Sequence, residues 1–300
     1  ERTGIDNGYH ICGALDLFDE ELHHNHASQQ ANPWLDEGID VQSCDRTRLE
    51  RHVADLNSRY QSGVYLPDFA QVRNPRHLQS LRAACLHRGV ELVEHVDGIQ
   101  VDVESDRVRR VRTPNRDYSI DQICLTAGAW TTNVLQSLGV VIPVKPVRGQ
   151  IVQLQLPAQP FRCCIELGRR YLVPRRDGLI LIGSTEEDAG FVKQNTTEGV
   201  AELLSFAKIL IPSLAQAEVV RTWAGLRPGS PDELPLLGFA PGYSNLFVGA
   251  GHFRSGLQMS PATGRILADL MLGTTPEISL DGFQPDRFAS TTFNSSAPGS

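Results

Sequence analysis

Arg227 and Arg254 occupy settings unlike those of most surface arginines. Arg227 closes an apolar run, Trp223-Ala224-Gly225-Leu226, and precedes Pro228-Gly229. Arg254 lies inside Gly249-Ala250-Gly251-His252-Phe253-Arg254-Ser255-Gly256. A guanidinium stays charged and grips a carboxylate through a planar fork. One arginine at a strand end ordinarily reads as a surface ion pair. Two beside glycine-rich backbone strengthen the case for an anion site without establishing it. The glycine-rich stretch joins a strand-like run, Asn245 to Val248, to a helix. That is how α/β folds admit a dinucleotide: glycine lets the cofactor approach the backbone, and the helix start offers free N–H groups. The stretch is not G-x-G-x-x-G, and many strand-to-helix turns carry two glycines for steric reasons alone.

Other chemistries fit less well. His23, His24 and His26 form a His-His-Asn-His cluster, but in the least patterned part of the chain. A metal needs ligands on a fixed scaffold, so the cluster reads as a solvated loop and no metal is expected. No G-x-S-x-G elbow supports a hydrolase. The six cysteines include no C-x-x-C pair, so reduced thiols are expected and vicinal Cys163-Cys164 reads as strand packing. With 41% hydrophobic residues in a chain of 300, a folded core is affordable in one large or two ordinary domains. A net charge of −7 argues against nucleic acid and anionic membrane surfaces. No apolar stretch approaches the about 20 residues that span a bilayer.

The elements that would position these residues alternate along the chain. Gly8 to Leu17 is strand-like, and Asp19 to Glu37 reads as loop or frayed helix. Pro75 opens a helix whose Leu78, Leu81, Cys85 and Leu86 share one face, closed by Arg88-Gly89. Strands are expected at Val90 to Val96, Ile99 to Val103, Val108 to Arg112 and Ile120 to Thr126, then a helix through Leu138. Asp177-Gly178 between Tyr171 to Val173 and Leu179 to Ile182 predicts a hairpin. Val200, Leu203, Leu204, Ala207 and Leu210 predict an amphipathic helix stopped before Pro212. Ala217 to Leu226 is a further strand. Ser260-Pro261 predicts a helix start with serine as N-cap, a stripe of Ile266, Leu267, Leu270 and Met271, and an end at Gly273.

Taken together, several segments resemble the flavin-dependent amino-acid oxidases, of the glycine oxidase type of the thiamine pathway. They are Leu125-Thr126-Ala127-Gly128-Ala129-Trp130, Pro146-Val147-Arg148-Gly149-Gln150, Tyr171-Leu172-Val173-Pro174-Arg175 and Gly183-Ser184-Thr185. The most specific are Trp223 to Gly229, Gly251 to Gly256, and Ser260-Pro261-Ala262-Thr263-Gly264. The resemblance implies an α/β (α+β) fold in which an incomplete Rossmann-like FAD domain joins an antiparallel-sheet substrate domain. It implies residues 1–70 and 148–227 for the substrate domain, 71–147 and 228–290 for the FAD domain, and a flexible tail at 291–300.

It also implies non-covalent FAD and oxidation of glycine or another small (D-)amino acid by hydride transfer to flavin N5, yielding keto acid, ammonia and hydrogen peroxide. Arg227 would hold the substrate carboxylate, with Arg254 a second contact and Tyr171 lining the pocket. Glu186 would sit at the pocket mouth and alter substrate preference. His252, Phe253, Arg254, Ser255, Gly256, Leu257 and Gln258 would run along the flavin with Gly251, Gly128 and Trp130, and Gly98 would lie near the adenine. No catalytic base is assigned. A cytoplasmic enzyme is expected, and a homo-oligomer is compatible with the sequence. The family's opening strand with G-x-G-x-x-G and its acidic partner do not occur in these residues. The expectation is a chain that begins past that unit, with exposed apolar surface on the parallel sheet. A non-catalytic remnant, or a dehydrogenase with an acceptor other than oxygen, stays open as an alternative.

Overall fold

The computed structural model describes residues 3–19 and 34–288. The histidine cluster at 23, 24 and 26 and the tail at 291–300 lie outside the described residues. The chain forms two compact units, each assembled from separated stretches. The first comprises residues up to Leu92, Gly149–Glu186 and Lys193–Ala224. The second comprises Val93–Arg148, Glu187–Val192 and the chain from Gly225 onward.

An eight-stranded sheet dominates, with strands in the order Glu218–Gly229, Lys145–Gln155, Leu179–Gly183, Arg170–Pro174, Cys164–Leu167, Ala14–Phe18, Ser62–Leu66 and Gln42–Asp45. Its pairings are antiparallel at Tyr171↔Gly183 and Ile151↔Gly183, and parallel at Cys164↔Ala14. The expected hairpin forms at Asp177-Gly178, where Gly178 takes φ +88°. Strand alternation sends Leu15, Leu17, Ile165, Leu172, Ile180 and Ile182 to one face. Helix Thr197–Leu210 covers that face with Leu203, Phe206, Ala207 and Leu210, all in one buried cluster. Thr196 caps this helix by accepting from the Gly199 N–H at 3.1 Å, and the helix ends before Pro212 as the spacing predicts.

The second unit has the α/β character. Strand Leu246–Ala250 pairs in parallel with Ile123–Leu125 and antiparallel with Leu236–Phe239. Its core gathers Leu125, Leu135, Ile142, Leu236, Leu246 and Val248. A second sheet, Gln100–Glu104, Arg107–Arg112 and Asp117–Ser119, is tied to it by Asn245. The Asn245 amide accepts from the Val108 N–H at 2.8 Å and donates to the Val108 carbonyl at 2.7 Å.

Two element expectations are corrected, at Val90 to Val96 and at the start of the final helix. Val90 to Val96 is not a strand: these residues make no ladder with any described strand, and Val90, Leu92 and Val93 are exposed. Helix Asn74–His87 forms with Pro75 in its first turn, but its apolar face is bare, with Leu78 68% and Leu81 48% exposed. The final helix spans Gly256–Met271 and starts a turn earlier than Ser260-Pro261. Pro261 has no N–H for the Leu257 carbonyl, and the Ser260 hydroxyl donates to that carbonyl instead at 2.8 Å. A serine and proline that look like a helix start are thus a tolerated interior pair.

Candidate active site

The parallel strands Ile123–Leu125 and Leu246–Ala250 run side by side, and their carboxyl ends carry the two glycine turns singled out above. Ligands of open α/β sheets bind at such ends. Gly128 adopts φ +57° and opens a short 3-10 turn, Gly128–Trp130. The buried Thr131 hydroxyl donates to the Gly128 carbonyl at 2.8 Å, which fixes the turn. Trp130 is 46% exposed and lies 5.7 Å from the Phe191 ring.

The second turn is built for close approach. At Gly249 a β-carbon would come within 2.7 Å of Leu267, so the missing side chain lets the final helix pack against the strand. Gly251 takes φ +76°, and Ser230 donates to its carbonyl at 3.2 Å. Phe253 holds a left-handed φ of +48°, an uncommon state for a bulky residue. His252 Nε2 lies 2.8 Å from the Thr263 hydroxyl. Burial pushes the His252 imidazole below its ordinary value, so the neutral ring is favoured. Gly256, Leu257 and Gln258 form the first turn of the final helix, where N–H groups have no intrahelical partner.

The same turn meets the first arginine's segment. The Phe253 N–H donates to the Pro228 carbonyl at 2.9 Å, and Gly229 pairs with His252 in an isolated bridge. Arg227-Pro228-Gly229 and His252-Phe253-Arg254, remote in sequence, are therefore neighbouring backbones in one unit. Both arginines are half-buried. Sequence reasoning singled out both arginines but had no signal for this bridge, because the pairing is not local.

In the first unit Tyr171 lies across Gly183. A β-carbon on Gly183 would fall 2.4 Å from the tyrosine ring, so only glycine permits this pose. Glu186 accepts from Arg169 at 2.7 Å, which makes it half of a partly exposed ion pair. Two groups that the sequence reading did not single out share the Tyr171 face of the sheet. Asp16 stands opposite Glu166, and Glu166 opposite Tyr171. Burial, reinforced by the Glu166 charge, raises the Asp16 carboxyl to about 7. Gln150, from the motif Pro146 to Gln150, is fully buried and serves structure: its side chain accepts from the Thr196 N–H at 2.9 Å and donates to the Thr196 hydroxyl at 2.9 Å. Gly98 takes φ +80° in an exposed turn before Gln100.

Residues 1–270 match the FAD dependent oxidoreductase family. The chain belongs to that family. It is 37% identical over 288 residues to glycine oxidase of Pseudomonas putida, covering 95% of this chain and 77% of that protein. Its fold matches glycine oxidase from Geobacillus kaustophilus with a TM-score of 0.90 at 29% identity, over 95% of this chain and 77% of that one. It also matches iminodiacetate oxidase from Chelativorans with a TM-score of 0.85 at 28% identity, over 93% and 77%. This member of the family is a FAD-dependent enzyme of amino-acid oxidation. The residues present fit the cofactor: nothing stands within 4 Å of where a Gly128 β-carbon would be, and the first-turn N–H groups of helix Gly256–Met271 have no intrahelical partner. Among the described residues no helix is long and apolar enough to cross a membrane.

Proposed function

We propose that this enzyme oxidises glycine or a similarly small amino acid, with Arg227 holding the substrate carboxylate and Arg254 a second contact. Bound FAD would supply the acceptor for the two electrons and hydrogen leaving the substrate α-carbon, and oxygen would reoxidise it with release of hydrogen peroxide. The observation that carries the reading is the bridge between Gly229 and His252, which sets two arginine-bearing segments beside the glycine turn. A carboxylate held by a guanidinium fork leaves its α-carbon in one pose, and orientation of that kind lowers the barrier by removing the entropy cost of alignment.

His252 to Gln258 would lie along the flavin ring system, with Gly128 and Trp130 bordering it and Gly98 near the adenine. The first-turn N–H groups of Gly256–Met271 would stabilise developing negative charge there. Tyr171 would line the amino-acid pocket and Glu186 its rim. The amine need only arrive unprotonated, so no dedicated base is required. The product imine hydrolyses to keto acid and ammonia, which would place the enzyme in thiamine synthesis.

The test is peroxide release from glycine under air by the flavin-loaded, full-length protein. Glycine-dependent peroxide, abolished in Arg227→Ala while flavin absorbance is retained, supports the reading. Turnover with an artificial dye but none with oxygen would make the enzyme a dehydrogenase. A yellow protein that oxidises no small amino acid would overturn the proposal.

A further inference from the structure

Cys12 and Cys164 lie 152 residues apart in sequence, yet their sulfur atoms are 3.8 Å apart. The Cys164 N–H donates to the Gly13 carbonyl at 3.0 Å, which locks the two backbones together. A disulfide bond is about 2.0 Å long, so the two sulfurs need only close by about 1.8 Å. We infer that Cys12 and Cys164 form a peroxide-reactive dithiol, with Cys12 the sulfur that reacts with peroxide and Cys164 the thiol that closes the disulfide. The inference stands apart from the oxidase reading, because peroxide from any source suffices.

The surroundings assign the two roles. Cys12 is partly exposed and lines a cavity of about 370 Å³ with His52, Tyr65 and Phe161, which gives a small oxidant access. Cys164 is buried. The Gln71 amide donates to the Cys12 sulfur at 3.4 Å and to the Pro174 carbonyl at 2.8 Å. Its oxygen accepts from Arg175 at 2.8 Å, so the amide cannot turn away from the sulfur. These contacts favour charge on Cys12: hydrogen bonding from Cys164, then from Gln71, outweighs burial and brings its thiol down to about 6. The same contact, with burial, pushes the Cys164 thiol up, so it keeps its proton.

The chemistry balances in two steps. The Cys12 thiolate attacks one peroxide oxygen; the O–O bond breaks, an S–O bond forms and hydroxide leaves. The Cys164 sulfur then attacks the Cys12 sulfur; the S–O bond breaks, and the Cys164 proton leaves with the hydroxyl as water. Each sulfur is oxidised by one electron overall, and peroxide takes up both electrons.

The test is brief exposure of the flavin-loaded protein to dilute hydrogen peroxide, followed by alkylation and peptide mapping. The expected result is a Cys12–Cys164 disulfide, reversed by dithiothreitol, with loss of the Cys12 thiol more than about tenfold faster than loss of the Cys85 thiol. In Cys164→Ser, Cys12 should accumulate as a sulfenic acid trapped by dimedone. In Cys12→Ser, Cys164 should stay reduced. Oxidation of Cys12 no faster than Cys85, or a Cys12 disulfide with another molecule in place of Cys164, overturns the inference.

Discussion

A carboxylate clamp fails abruptly when its guanidinium is removed, since the partner charge is left without its counter-ion. Arg227→Ala should therefore cost about 2–5 kcal/mol in transition-state binding, or roughly 30- to 5,000-fold in kcat/KM, with flavin content unchanged. Steady-state kinetics beside a flavin spectrum would measure both, and near-normal glycine turnover would refute the clamp. Glu186→Gln releases Arg169 from its ion pair. Relative kcat/KM should then shift from glycine toward amino acids with an acidic side chain, and an unchanged profile would remove Glu186 from the substrate's surroundings. His252 gives a pH effect of definite sign. Its folded value is depressed by burial, so below about 6.5 the unfolded chain takes a proton that the folded one resists. Stability contributed by the neutral ring is complete above that pH and declines as pH falls. His252→Gln should flatten part of this slope in urea midpoints taken at pH 5 and pH 8. Arg227 and Arg254 could be singled out in the sequence as candidates for an anion site because their neighbours are unusual for arginine. Asp16 was not, because its opposition to Glu166 arises only once two remote strands pair.

At the level of elements, that opposition carries its own test. Asp16 binds its proton more tightly in the folded state, so the sheet is most stable below its unfolded value of about 4 and loses stability as pH rises toward 7. Asp16→Asn should stabilise the protein by up to about 4 kcal/mol at pH 8 and by almost nothing at pH 4, read from denaturant midpoints. A variant that is less stable at both would show that the carboxylate supports the strand pair. Elements written in local chemistry were readable from the sequence. The Asp177-Gly178 hairpin needs only a residue that accepts positive φ, and helix Thr197–Leu210 carries its own cap and stripe. Val90 to Val96 misled because apolar, β-branched composition says nothing about whether a neighbouring strand exists to complete the ladder. The final helix misled because a side-chain hydroxyl took the place of the N–H that Pro261 lacks.

Across the molecule, the charge pattern and core size set the broad class, and the apolar face of helix Asn74–His87 is bare. Leu78, Leu81 and Leu86 lie in the open, so Leu78→Lys with Leu81→Glu should leave the thermal midpoint within about 2 °C and lower binding of a hydrophobic dye. A large fall in the midpoint would mean that the face is packed in solution. The chain passes between its two compact units at residues 92/93, 148/149, 186/187, 192/193 and 224/225, and two of those crossings cut through strands Lys145–Gln155 and Glu218–Gly229. Neither unit is a cassette. A gene fragment bounded by one start and one stop cannot encode either alone, and grafting a foreign counterpart of one unit onto the other would need splices in mid-strand, with the hydrogen-bond register preserved at each seam.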